Sequence, residues 1–153
     1  MKCLVTGASG FIGSNLVKAL VKKDFPVRAL IRHNSNNCNL ENLKIEVHYG
    51  DLLDYKTLER ALTGCTFLFH VAAHYSFWDT SKNLIYKINV DGTKNILKAA
   101  VKTGIKKVVY TSTVGCIGIT QNGTPGDENT SIDMLTLSNS YKHSKYLAER
   151  EAL

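Results

Sequence analysis

Short apolar, β-branched runs alternate along this chain with stretches whose apolar positions recur every three or four residues. Lys2 to Thr6 reads as a first strand, and Phe11 to Lys23 as a helix with Ile12, Leu16, Val17 and Leu20 on one face. Val27 to Ile31 is a second strand entered through Pro26, and the Asn- and Ser-rich stretch His33 to Asn39 is a loop. Ile45 to His48 forms a third strand closed by the turn Gly50-Asp51, after which Asp54 caps a short helix from Tyr55 to Leu62. Thr66 to Val71 is the fourth strand, Asn83 to Thr103 a long helix ending at Gly104, and Lys107 to Ser112 the fifth strand. A turn-rich segment, Gln121 to Asn129, precedes a last helix that begins at Asn139 and runs to Leu153. Strands alternating with helices predict a doubly wound α/β fold, a parallel sheet of the Rossmann type with strand order 3-2-1-4-5.

Composition narrows this picture without changing it. With 153 residues, 44% hydrophobic and 21% charged, the chain suits one globular domain with its own core. No apolar run approaches the roughly 20 residues a membrane span requires. Met1-Lys2 leads straight into a strand, so neither a membrane partner nor a signal peptide is expected, and the cytoplasm is the expected home. Cys3, Cys38, Cys65 and Cys116 form no C-x-x-C pair, which predicts free thiols and no metal site. The net charge of +6 could suggest nucleic acid. However, Lys18, Lys22, Lys23, Lys94, Lys98 and Lys102 are spread over several helices, as solvated faces are, so no nucleic-acid partner is expected. Part of the charge can serve an anionic cofactor.

Thr6-Gly7-Ala8-Ser9-Gly10-Phe11-Ile12-Gly13 lies between the first strand and the first helix. Glycines spaced G-x-x-G-x-x-G allow a tight turn, close approach of a pyrophosphate, and packing of helix on strand. The helix start then aims unpaired N–H groups at the phosphates. A ligand-free glycine turn is the plainer alternative, but strand, glycines and helix arrive in the order that a dinucleotide site requires. The end of the second strand, Val27 to His33, holds no carboxylate for a ribose 2′-hydroxyl. Arg32 stands there instead, suited to a 2′-phosphate, which favours NADP over NAD, with NAD still possible.

Tyr141 and Lys145 are four residues apart on the final helix and so share one face. A phenol near pKa 10 is a poor acid or base at neutral pH, and a neighbouring ammonium would lower it toward the working range. The same lysine could hydrogen-bond the nicotinamide ribose. A Y-x-x-x-K spacing alone is common on surface helices; beside the glycine turn it points to proton transfer. The third partner should be a hydroxyl at the carboxyl end of a strand, where Tyr110-Thr111-Ser112-Thr113-Val114-Gly115 lies.

These motifs together resemble the extended short-chain dehydrogenases/reductases of the NAD-dependent epimerase/dehydratase group, in particular the dihydroflavonol-reductase-like and hopanoid-associated sugar epimerase-like branch. The resemblance rests on TGASGFIG (Thr6 to Gly13), GDLLD (Gly50 to Asp54), FHVAAHYSFW (Phe69 to Trp78), NVDGT (Asn89 to Thr93), YTSTVG (Tyr110 to Gly115) and YKHSK (Tyr141 to Lys145). It implies a cofactor site of Gly7, Gly10, Phe11, Ile12 and Gly13 at the pyrophosphate, with Asp51 and Leu52 beside the adenine. Val71, Ala72 and Ala73 would line the cofactor, and Asn89 would support the active-site backbone and water network. Thr113 aligns with the catalytic Ser/Thr, Ser112 being the neighbouring candidate, and only one of them faces the site if the strand is regular. His70, His74, Tyr75 and Trp78 would border a small-molecule substrate, although a satisfied core histidine is the simpler reading of His70. Gly92, costly in a helix by about 1 kcal/mol relative to Ala, would allow close approach to the sheet. Each assignment has a plainer rival: Asp51 as a turn closer, Asn89 as a helix satisfier, the two alanines as packing.

The expected activity is hydride transfer by an oxidoreductase or epimerase, with Tyr141, Lys145 and Thr113 as its triad. The substrate would be a small carbonyl or alcohol compound or a sugar nucleotide. The rivals are an NADP-binding regulator without chemistry and an inactive fragment. The chain stops inside a helix and carries only the amino-terminal half of what the resemblance implies, so the substrate-binding part is expected to be missing, as is any homodimer that the longer protein forms. The fifth strand would then be left with a bare apolar edge. Light scattering on the isolated chain should therefore show association; a monodisperse, stable monomer would contradict that expectation.

Overall fold

The computed structural model describes residues 1–75, 82–120, 123–133, 137 and 139–153. Five strands form one sheet: β1 (Cys3–Thr6), β2 (Val27–Ile31), β3 (Glu46–Tyr49), β4 (Phe67–His70) and β5 (Lys107–Tyr110). Their spatial order is β3-β2-β1-β4-β5 and every neighbouring pair is parallel. The predicted order is therefore the observed one. The predicted strands match these within one or two residues, which is where hydrogen-bonded ladders end rather than where apolar runs end.

Side chains alternate across the sheet and build a core on each face. On one face Leu4, Leu30 and Leu68 pack against α2 (Tyr55–Leu62) and α4 (Gly92–Lys102) through Leu58, Leu62, Ile96 and Ala99. On the other, Cys3, Val5, Ala29 and Ile31 receive Val17 and Leu20 of α1 (Phe11–Lys22). All four residues of β1 are buried, whereas edge strands β3 and β5 are largely exposed. Val109 on β5 is 44% exposed. Arg28 ties the β2 side together: its Nε donates to Glu46 at 2.8 Å, and its Nη1 to the carbonyls of Ala61 (2.5 Å) and Thr63 (2.8 Å) that end α2.

Local signals placed the helix ends. Asp54 caps α2, its Oδ1 accepting from the amides of Lys56 (3.1 Å) and Thr57 (3.4 Å). Asn139 does the same for α5 (Ser140–Ala152), accepting from the Lys142 amide at 2.8 Å. The expected long helix 83–103 is present, running unbroken from α3 (Lys82–Tyr86) into α4 through a π turn over Lys87–Asp91. A π turn bulges one extra residue out of the ladder without changing the hydrophobic pattern enough to be read in advance. Gly92 follows it, and a Cβ there would meet Leu52 Cβ at 2.9 Å. The close approach expected of this glycine is to the segment after β3, not to a strand. All four cysteines are free thiols.

Leu68 is fully buried in the centre of the sheet. Leu68→Ala should cost about 3 kcal/mol in urea unfolding, seen as a lower midpoint at unchanged slope. Val109→Ala, on the exposed edge, should cost less than about 1 kcal/mol.

Candidate functional site

A cavity of about 660 Å³ runs along the carboxyl ends of the strands. This is where parallel α/β sheets place their ligands, and the volume suits a small molecule or cofactor. It begins at the turn between β1 and α1. Gly7 has φ +66°, and a Cβ on it would lie 2.8 Å from the backbone of Ala72. A Cβ on Gly13 would fall 2.1 Å from the Gly7 carbonyl oxygen. Only bare backbone fits either place. Gly10 caps α1 without a side-chain hydrogen bond, and the first helical amide to bond back is that of Ser14, to the Gly10 carbonyl at 2.9 Å. The α1 start therefore presents its N–H groups and its positive dipole end to the cavity.

Arg32 and Asp51 stand toward the β2–β3 end of the cavity wall. Among the described residues Arg32 has no carboxylate partner, in contrast to Arg28. Asp51 closes a turn by accepting from the Leu53 amide at 2.9 Å through Oδ1, so the plainer role is present while Oδ2 has no partner among the described residues. At the opposite end lie Ser112, Tyr141 and Lys145. Lys145 is 2% exposed; its Nζ donates to the Thr111 carbonyl at 2.7 Å and sits 4.2 Å from the Tyr110 ring centroid. Burial drives its pKa down to about 8, opposed by Cys116 and Glu149.

Tyr141 behaves differently from the expectation built on its spacing. Burial, followed by the nearby Tyr75 and Cys116, pushes the phenol up rather than down. The expected lowering by Lys145 is not found here because the ammonium is turned to Thr111 and the Tyr110 face. Tyr75 meets Tyr141 edge-on, with ring centroids 4.7 Å apart.

The hydroxyl pair also separates. β5 stops at Tyr110, so strict strand alternation does not govern Ser112 and Thr113. Ser112 lines the cavity, and its hydroxyl is hydrogen-bonded to the Glu149 carboxylate. Thr113 is not in the wall; it caps a 3-10 turn over Val114–Cys116, its Oγ1 accepting from the Gly115 amide at 3.2 Å.

The cavity thus gathers Gly7, Gly10, Phe11, Ile12, Gly13, Arg32, Asp51, Leu52, Val71, Ala72, Ala73, Ser112, Tyr141 and Lys145, with His74 and Tyr75. Asn89 lies behind it, 2% exposed, its carboxamide clasping the His74 backbone: Oδ1 accepts from the His74 amide at 2.7 Å and Nδ2 donates to its carbonyl at 3.0 Å. His70 is fully buried between two threonines, the satisfied core histidine. Trp78 lies outside the described residues. Sequence reasoning passed over Tyr110 and Glu149. Only Glu149 carried a signal, standing four residues beyond Lys145 so that Tyr141, Lys145 and Glu149 follow one another at single-turn spacing.

A sequence profile described as the 3-beta hydroxysteroid dehydrogenase/isomerase family matches residues 4–153. A putative dihydroflavonol 4-reductase of Synechocystis sp. is 48% identical over 149 residues, covering 97% of this chain and 43% of that protein. Sterol demethylase protein B of Methylococcus capsulatus is 35% identical over 153 residues, 100% of this chain and 46% of its own length. The crystal structure of Thermus thermophilus UDP-glucose 4-epimerase in complex with NAD superposes with a TM-score of 0.85 at 28% identity, covering 99% of this chain and 50% of that one. The chain spans about half the length of the curated relatives it matches. No helix among the described residues is long and apolar enough to cross a membrane.

The buried ammonium makes stability depend on pH. Lys145 titrates near 8 when folded against 10.5 for an ordinary lysine, so between these values the unfolded chain binds more protons. Its contribution is therefore present in full above about pH 10.5 and is lost as pH falls through 8. Chemical denaturation from pH 7.5 to 10 should show the unmodified protein gaining on Lys145→Met as pH rises, by on the order of 3 kcal/mol across the full window. Taking the difference cancels the thiols and tyrosines that titrate nearby. A difference flat with pH would contradict the buried, charged lysine.

Proposed function

This chain belongs to the 3-beta hydroxysteroid dehydrogenase/isomerase family, within the extended short-chain dehydrogenases/reductases, and on that premise we propose that it is the dinucleotide-binding and proton-transfer part of an NAD(P)-dependent oxidoreductase or epimerase. One observation carries the reading: a single cavity wall joins the bare amides at the start of α1 to Tyr141 and Lys145. The backbone fit at Gly7 and Gly13 supports an anionic dinucleotide, because a side chain at either place would close the cradle. Arg32, without a carboxylate partner among the described residues, would hold a 2′-phosphate, which favours NADP over NAD. Asp51, Leu52, Val71, Ala72 and Ala73 would line the remainder of the cofactor, with Asn89 fixing the wall from behind.

When bound, the nicotinamide would supply the hydride. The chain's own residues would handle the oxygen of the substrate carbonyl or alcohol. Tyr141 would donate its phenolic proton to that oxygen, or take it back, because it alone of the cavity's phenols stands beside Lys145 on α5. Lys145 would hold the ribose edge of the cofactor, and turning from Thr111 toward the phenol it would favour phenolate. Of the hydroxyl pair, Thr113 keeps a proton committed to no described residue but stands outside the wall and would have to turn inward to meet the substrate oxygen, whereas Ser112 lines the wall with its proton given to Glu149. The substrate would be a small carbonyl or alcohol compound or a sugar nucleotide.

Fluorescence titration should find NADPH bound more tightly than NADH, and Arg32→Ala should weaken NADPH about tenfold with little effect on NADH. Against a panel of aldehydes, ketones and nucleotide sugars, Tyr141→Phe should lower any turnover at least ~100-fold. Turnover that survives Tyr141→Phe would remove the proton-transfer assignment, and tighter NADH binding would remove the role given to Arg32.

A further inference from the structure

Behind the cavity, which it reaches at Thr6, lies a buried polar line of which the proposed function uses only Asn89. Thr6, His70, Thr93, Asn89 and Ser144 are each at most 2% exposed and come from β1, β4, α4, the π turn and α5. Each hydroxyl owns one proton, so the direction of every bond can be worked out. Thr93 Oγ1 lies 2.6 Å from the Asn89 carbonyl, which can only accept, so the Thr93 proton points there. His70 Nε2, 3.0 Å from the same Oγ1, must then be the donor, and the neutral ring carries its hydrogen on Nε2. Nδ1 is left as an acceptor, and the Thr6 hydroxyl donates to it at 2.7 Å. The Thr6 oxygen in turn accepts the amides of Val71 and Ala72, both at 3.2 Å. On the other side, Asn89 Nδ2 donates to Ser144 Oγ at 2.9 Å, and Ser144 passes its proton to the Tyr141 carbonyl at 2.8 Å.

Every proton in the line points the same way, from the glycine-turn end toward the first turn of α5. Reversal at the imidazole would bring a third donor to the Thr6 oxygen, which already accepts two amides, and would leave Nε2 bare against a Thr93 oxygen whose proton is committed to Asn89. Burial, with a smaller push from the nearby Lys145 charge, drives the His70 pKa down to about 3, so the neutral ring persists through the physiological range.

We propose that His70, as the Nε2–H tautomer, is a positioning residue that joins the Val71–Ala72 wall of the cofactor cradle to the helical turn bearing Tyr141, through Thr6 on one side and Thr93, Asn89 and Ser144 on the other. Neither His70 nor Thr93 lines the cavity, so an influence on a ligand is indirect, through this line or through the Tyr110 ring, which lies 5.6 Å from the His70 ring and under the Lys145 ammonium. Its consequence for dinucleotide binding rests on the function proposed above; the hydrogen-bond line itself does not. Thr93 is the place to break it, because valine keeps the shape and removes both bonds, while serine restores the hydroxyl.

Nitrogen-15 shifts of the unmodified protein should show His70 protonated at Nε2 and bare at Nδ1 from pH 5 to 8. Thr93→Val should speed amide exchange at Val71 and Ala72 at least ~10-fold while Val5 and Leu68 keep their protection, and Thr93→Ser should bring it back. The same substitution should weaken NADPH binding several-fold. An Nδ1–H tautomer would overturn the proposal even if Thr93→Val fails to fold, as would unchanged exchange at Val71 and Ala72. If the unmodified protein bound no NADPH, the proposed function would fall while the shifts and exchange rates still decided this inference. If it bound NADPH and Thr93→Val bound it equally well, the link to the cradle would be the part that fails.

Discussion

The contact between the α1 start and the β1–α1 turn constrains everything else in this protein. Gly13 sits so near the Gly7 carbonyl that a single carbon added to it would overlap that oxygen at 2.1 Å. This closeness sets where α1 crosses the sheet, and therefore which face Val17 and Leu20 bury. It also leaves the first amides of α1 bare at the mouth of the cavity. Gly7 adds the second half of the constraint, since its bare Cα lets the Val71–Ala72 backbone come down beside it. A packing requirement and an anion site are here one piece of backbone.

Desolvation is the second organising influence, and it acts on three groups with different results. The phenol of Tyr141 is pushed up and the ammonium of Lys145 down, so burial brings neither group toward its charged form. Lys145 nevertheless stays engaged, held by the Thr111 carbonyl and the face of Tyr110, with Glu149 one turn away opposing part of the loss. A lysine near 8 and a phenol above its ordinary value make a pair in which charge added nearby changes both at once. His70 feels the same burial and a smaller push from the like charge of Lys145, and neutrality makes it a fixed donor and acceptor instead of a switch.

Much of the fold could be read without coordinates. The alternation of strands and helices, the order β3-β2-β1-β4-β5, the Asp54 and Asn139 helix starts and the glycine turn all follow from neighbours in the chain, where period and capping act. The cavity wall followed in large part as well, because Gly7, Gly13, Arg32, Asp51, Ala72, Tyr141 and Lys145 sit in motifs tied to strand ends. What escaped was set by contacts across the fold. Nothing near Asn89 in the chain announces a π turn, and the partners its carboxamide meets there, His74 and Ser144, lie 15 and 55 residues away. Spacing placed Tyr141 and Lys145 on one face, but not the direction of the ammonium, which Thr111 and Tyr110 decide from β5 and the residue after it.

The chain by itself determined the kind of fold, the cradle and the positions of its titratable groups, because those depend on periodicity, glycine and short-range spacing. Tertiary structure alone decided how the protons are arranged: which hydroxyl of Ser112 and Thr113 keeps one to give, which nitrogen of His70 carries one, and which way the Tyr141 phenol shifts. Those outcomes depend on burial and on partners tens of residues distant, and no local pattern encodes the dielectric around a side chain or the acceptor it finally meets.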